Sequence, residues 1–179
     1  HLPYISSFGC PHRARNLSKQ EWCGFCSLWD NEYNKRKTEV VKQEVIEALR
    51  TLISSSNLNL NGRPILLRDV SDHPNPETAE EIKEAYETEL KNDNQNADLS
   101  ILAYFRADEG FNSGNIEPFD TLFIGTESGS DTILENCNKG IKSKNLEDAY
   151  YLAKDKKKKL ITSFILGLKE ERHETVAET

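Results

Sequence analysis

The sequence predicts an α/β fold in which a parallel sheet is crossed by helices. Two observations carry that prediction. Short apolar stretches, each too short and too evenly apolar for a surface helix, alternate with longer stretches whose apolar residues recur at helical spacing. Helix-starting residues, Thr38 and the pair Asn75-Pro76, stand where stretches of the second kind begin. A chain of 179 residues has the size of one domain and can bury a sizeable core.

Taken in order, PYISSFG (Pro3 to Gly9) reads as a first strand that ends at a cysteine-containing loop. TEVVKQEVIEALRTLI follows, with Val41, Val45, Ala48, Leu49 and Leu52 on one helical face and Thr38 placed to cap it. PILLRDV is a second strand that stops at Asp69. The helix after it takes Asn75 as its cap, Pro76 in its first turn, and Ala79, Ile82 and Tyr86 on its apolar face. LSILAYFR is a third strand and DTLFIGT a fourth; the Gly- and Pro-containing link between them leaves no room for a full helix. SKNLEDAYYLAKDKKKK carries Leu146, Ala149, Tyr150 and Ala153 on one face, and its lysine run reads as the solvated end of a helix. LITSFILGL is a fifth strand.

Charge narrows the function classes. Lys plus Arg number 23 against 30 Asp plus Glu, a net charge of -7, so there is no overall electrostatic reason to expect a nucleic-acid partner, and a small soluble substrate is favoured. No apolar run approaches the roughly 20 residues of a membrane-spanning helix, and the first residues lack the pattern of a signal peptide. A cytoplasmic location is the expectation.

Three of the four cysteines fall between Gly9 and Cys26, as Cys10, Cys23 and Cys26 with spacing C-x12-C-x2-C. In a reducing compartment such a cluster points to metal binding or chemistry in preference to disulfides. A structural zinc site takes four ligands, and this loop supplies three thiolates. Metal chemistry alone leaves three options: a catalytic metal with an exchangeable position, an iron–sulfur cluster with one iron not held by protein, or zinc completed by a distant residue. Cys137 reads as a buried thiol outside this set.

Read together with the strands, the cysteine loop, with Phe25 just before its last cysteine, resembles the cluster loop of the radical S-adenosylmethionine (radical SAM) superfamily, although the first gap of twelve residues is longer than the usual three. FIGTESGSDTILENCNKG (Phe123 to Gly140) is similar to the fourth-strand signature of the branch that holds cobalamin-dependent and methylthiotransferase members, and SFILGLKEERHET (Ser163 to Thr175) to its fifth-strand signature. In the latter, Lys169 and Glu170 replace the usual proline and glycine.

The resemblance implies an open partial (β/α) barrel, with the active site at the carboxyl ends of the strands. It makes Cys10, Cys23 and Cys26 the ligands of a 4Fe-4S cluster whose open iron binds S-adenosylmethionine, so that reduction yields a 5'-deoxyadenosyl radical that abstracts hydrogen from a substrate the sequence does not specify. It sets Phe25 near the adenine, and Asp69, Ser71 and Asp72 near the methionine ammonium. Glu127, with Ser128 beside it, takes the ribose hydroxyls. Ile165 and Gly167 meet the adenine through their backbone, with Glu170 or Glu171 supporting that turn. Catalytic residues beyond these are not implied. The resemblance further implies an electron donor such as flavodoxin or ferredoxin and admits cobalamin, for which this chain has no recognisable domain. Residues 1–179 are expected to form the core domain as a fragment without its sixth strand or accessory domains. Two rival readings remain: a zinc-binding interaction module, and a barrel scaffold that has lost its cofactor.

Overall fold

A computed structural model of the chain describes residues 1–15, 22–27, 32–55, 63–91, 97–108 and 110–179. The elements run β1 (Leu2–Tyr4), β2 (Ser7–Phe8), α1 (Pro11–Arg15), β3 (Asn34–Lys35), α2 (Thr38–Ser54), β4 (Ile65–Asp69), α3 (Pro76–Ala85), β5 (Leu99–Phe105), α4 (Ser113–Ile116), β6 (Thr121–Glu127), α5 (Asp131–Asn136), α6 (Ser143–Asp155), β7 (Lys159–Phe164) and α7 (His173–Ala177). A π-helical turn, Tyr86–Leu90, extends α3.

The five longer-range strands form one sheet in the order β1-β4-β5-β6-β7, every pair parallel. Strands adjacent in the sheet are consecutive along the chain apart from the small antiparallel pair β2–β3, which forms a second sheet. The architecture is that of an open partial (β/α) barrel, as expected from the sequence. Parallel neighbours need crossovers, and α2, α3 and α6 supply three of them.

Alternation along the strands separates two faces. On β5, Leu99, Ile101, Ala103 and Phe105 are buried while Ser100, Leu102 and Tyr104 are partly exposed. The buried set meets Val41, Val45 and Leu49 of α2, Ala79 and Ile82 of α3, and Leu146, Ala149 and Ala153 of α6 in one core. Each fully buried aliphatic side chain contributes about 1.5–3 kcal/mol of apolar burial. Among the described residues between β5 and β6 only the single turn α4 crosses, and Phe111, Ile116 and Phe119 fill the layer that a helix fills elsewhere. Phe105 packs edge-on against Phe111 and Phe119, with ring centroids 5.5 and 5.3 Å away.

Local expectations are met in part. Asn75 is the N-cap of α3 and Pro76 its first residue. Thr38 begins α2 and is not its cap: Lys37 holds that position, and Thr38 Oγ1 instead lies 3.1 Å from Thr78 Oγ1, tying α2 to α3. The fifth strand of the sheet ends at Phe164, short of Leu168. The lysine run leaves α6 through Lys157, whose φ is 54°, and Lys158 donates to the carbonyl of Glu117 at 2.6 Å.

Candidate functional site

The carboxyl ends of the parallel strands surround a cavity of about 230 Å³. Cys10, Cys23 and Cys26 all line it, together with Phe25, Asp72 and Glu127. The cavity walls also include His73, Arg106 and Lys139, and from the partly exposed face of the sheet Tyr104, Phe123 and Ser163. Open parallel sheets and barrels place their ligands at this end.

The cysteine loop is held at its base and at its tip, while residues 16–21 of it lie outside the described residues. At the base, β2 and β3 pair through Ser7↔Lys35 and Phe8↔Asn34. Gly9 turns the chain there at φ +74°, and a Cβ on it would stand 1.8 Å from the carbonyl oxygen of Glu32, so only glycine fits. At the tip, Gly24 N–H donates to the carbonyl of Cys137 at 2.8 Å, and Cys26 N–H to the carbonyl of Cys23 at 3.0 Å. The Arg13 guanidinium lies 3.8 Å from the centre of the Trp22 ring.

All three loop thiols are half-buried, whereas Cys137 is buried and its thiol faces the carbonyl of Leu134 at 3.4 Å. Burial pushes the Cys10 thiol up; backbone N–H groups of Arg13 and His12 and the charge of Arg106 oppose that. Cys10 Sγ lies 3.8 Å from His73 Nε2. His73 is itself desolvated, which pulls its imidazole down to about 4 and leaves it neutral at physiological pH. Among the described residues, no three His, Cys, Asp or Glu side chains converge closely enough to hold a single metal ion.

Two cations complete the cavity. Lys139 Nζ donates to Glu127 Oε1 at 2.8 Å and stands 5.4 Å from the centre of the Phe25 ring. Glu127 sits at a bulge between β6 and β7 with φ +63°, which turns its side chain toward the cavity. Gly125 permits the pair: a Cβ there would come within 2.5 Å of Glu127 Oε1. Arg106 pairs with Asp108 at 3.2 Å, and its guanidinium also donates to the carbonyl of Lys139 and, at 3.5 Å, to Cys23 Sγ.

No protein-family model and no curated protein matches the chain. Among solved structures it is similar to the cobalamin-dependent S-adenosylmethionine radical enzyme OxsB. The form with aqua-cobalamin bound matches at 20% identity and a TM-score of 0.67, covering 99% of this chain. The apo, selenomethionine-labelled form matches at 22% and 0.64, and the form with aqua-cobalamin and S-adenosylmethionine at 19% and 0.68. The chain shares its fold with OxsB. It spans 25% of the length of that enzyme's chain.

The remaining residues singled out in the sequence do not line the cavity. Asp69 and Ser71 belong to a buried network: Ser6 Oγ donates to Asp69 Oδ2 and Ser71 Oγ to Asp69 Oδ1, each at 2.5 Å. Ser71 Oγ in turn accepts from the backbone N–H groups of Ser6 and Ser7, at 2.8 and 3.0 Å. Burial raises the Asp69 carboxyl, and the hydrogen bonds from Ser6 and Ser71 oppose it. This network binds the end of β1 to the end of β4, and only the next residue along, Asp72, reaches the cavity. Ser128 is buried, its Oγ accepting from Ser130 N–H at 3.1 Å and lying 3.0 Å from Thr179 Oγ1.

On the far edge, Ile165 N–H donates to the carbonyl of Glu127 at 2.9 Å. Gly167 has φ +82°, and its N–H donates to Glu171 Oε2 at 2.6 Å. Of the two candidate glutamates, Glu171 therefore braces the turn, while Glu170 accepts from Asn136 Nδ2 at 3.1 Å. Sequence reasoning missed Lys139 as a site residue and the reach of Arg106 to Cys23. A lysine buried to this degree is a signal of an internal carboxylate partner, but its burial is visible only once the fold is known.

Proposed function

We propose that this chain is the core of a radical SAM enzyme, with Cys10, Cys23 and Cys26 holding a 4Fe-4S cluster. The observation that carries the reading is that the three thiols of the cysteine loop and Phe25 share one cavity with Glu127, about a hundred residues away in sequence, at the carboxyl ends of a parallel sheet. The fold shared with OxsB over nearly the whole chain supports it. The donor set fits the group. A cluster puts each thiolate on a different iron, so its ligands surround a cavity instead of converging on one point, and soft thiolates suit it. Arg106, whose N–H is directed at Cys23 Sγ, would face its negative charge.

When bound, such a cluster supplies the electron that cleaves the sulfonium of S-adenosylmethionine to a 5'-deoxyadenosyl radical able to take hydrogen from a substrate. The residues of this chain position and enclose. Phe25 offers an aromatic face to the adenine, and Asp72 a carboxylate to the methionine ammonium. Asp69 and Ser71 hold the strand end from which Asp72 projects. Glu127 accepts from the ribose hydroxyls, oriented by Lys139 on Oε1, and Ser128 holds the turn that follows through Ser130 N–H. The backbone of Ile165 and Gly167, braced by Glu171, closes the adenine end. Tyr104 and Phe123 form an apolar wall that keeps water from a reactive intermediate. A flavodoxin- or ferredoxin-type protein is the electron donor in this reading, and no described residue is assigned to cobalamin.

The test is S-adenosylmethionine cleavage by anaerobically reconstituted protein with a chemical reductant. Formation of 5'-deoxyadenosine and methionine, abolished in Cys23→Ala, is the expected result; no product from protein with a full complement of iron and sulfide overturns the reading. Hydrogen bonds to a charged acceptor are worth about 1.5–3 kcal/mol, so Glu127→Ala should weaken S-adenosylmethionine binding roughly ten- to a hundredfold with iron retained.

A further inference from the structure

Arg106 closes β5 with its side chain 10% exposed, and its guanidinium is held in three directions. Nε donates to Asp108 Oδ2 at 3.2 Å, one terminal nitrogen donates to the carbonyl of Lys139, and the other donates to Cys23 Sγ at 3.5 Å. The first two contacts orient the planar fork, and the third directs a charged N–H at a thiol of the cavity. Lys139, the other buried cation of the cavity, is directed at the Glu127 carboxylate.

Resting on the reading of Cys10, Cys23 and Cys26 as cluster ligands, we propose that Arg106 is a positioning residue that raises the reduction potential of the cluster through its N–H···S hydrogen bond to Cys23. Reduction adds negative charge that spreads onto the sulfurs. A fixed positive charge and a hydrogen bond to one of those sulfurs therefore stabilise the reduced form more than the oxidised form. Arg106 itself is buried, so its interaction with the half-buried Cys23 is screened less than it would be at an exposed site. Asp108 partly offsets the charge of Arg106 while fixing its orientation, so the two residues act on the potential with opposite signs.

Parent, Arg106→Gln, Arg106→Lys and Asp108→Asn proteins are reconstituted anaerobically, their iron and sulfide are quantified, and the midpoint potential is measured by redox titration followed by electron paramagnetic resonance. Arg106→Gln is expected to be more negative than the parent at equal iron content, with Arg106→Lys between them. Asp108→Asn, which removes the opposing charge, is expected to be more positive. A merely structural Arg106 would change stability and leave the potential where it was. Equal potentials in parent and Arg106→Gln with full clusters overturn the inference and leave the cluster reading intact. Should Arg106→Gln fail to hold a cluster, Asp108→Asn decides: a raised potential supports the inference, and an unchanged or lowered one overturns it. A parent protein that takes up no iron and sulfide overturns both.

Discussion

Replacing Lys139 with methionine removes the ammonium 2.8 Å from Glu127 Oε1 and strands a carboxylate whose side chain is only 11% exposed. Methionine keeps most of the lysine's volume, so the lost charge dominates the effect. Removing one partner of a buried pair costs about 3–5 kcal/mol, because the other charge stays desolvated and unpaired. Glu127 borders a cavity open to water, which favours the low end, about 3 kcal/mol. For a chain of this size that lowers Tm by roughly 6–12 °C. Removing both charges in Glu127→Gln/Lys139→Met takes away the stranded carboxylate and should recover about 2 kcal/mol, within the usual coupling range for residues in contact. Urea denaturation of parent, both single variants and the double variant, with equal m-values, measures these quantities. A Lys139→Met protein within about 0.5 kcal/mol of the parent, or a double variant no more stable than Lys139→Met, would refute the reasoning.

Gly9→Ala puts a Cβ 1.8 Å from the Glu32 carbonyl at a φ of +74°, so strain of about 1–2 kcal/mol adds to overpacking of about 1–3 kcal/mol. Its stability should fall by at least about 2 kcal/mol in urea denaturation, and a loss under about 0.5 kcal/mol contradicts the turn geometry. Asp69 gives a pH signature. Its folded-state carboxyl titrates above its ordinary value because it is desolvated, so the folded state holds this proton to higher pH than the unfolded chain does. That contribution to stability is present below about pH 4 and is lost as pH rises through the raised value. Parent protein should therefore lose stability relative to Asp69→Asn between about pH 4 and neutrality, and a difference that does not change with pH contradicts it.

The parts of the fold legible in the sequence are those with a local cause. Strands β4, β5 and β6 show as short apolar runs because both faces of the sheet are covered or enclosed, and α2, α3 and α6 show as amphipathic stretches because one face meets the sheet. The pair β2–β3 has two residues in each strand and no periodicity to detect; it exists because the cysteine loop returns to its own base. Thr38 resembles a cap by residue type, yet its hydroxyl is engaged with α3, a contact set by packing. The site divides the same way. That Cys10, Cys23, Cys26 and Phe25 group together was legible because they share one short cysteine motif, and Glu127 because it ends β6. The roles of Lys139, His73 and Arg106 depend on partners 12, 63 and 83 residues away, which no local pattern displays.

Metal content of anaerobically reconstituted protein tests the central claim most directly, measured as iron, sulfide and zinc per chain in the parent, Cys23→Ala and Cys137→Ser. The account predicts a coloured, oxygen-labile parent with the iron and sulfide of one 4Fe-4S cluster, the same content in Cys137→Ser, and its loss in Cys23→Ala. A colourless parent holding stoichiometric zinc, or iron that disappears with Cys137 and survives the loss of Cys23, would contradict it.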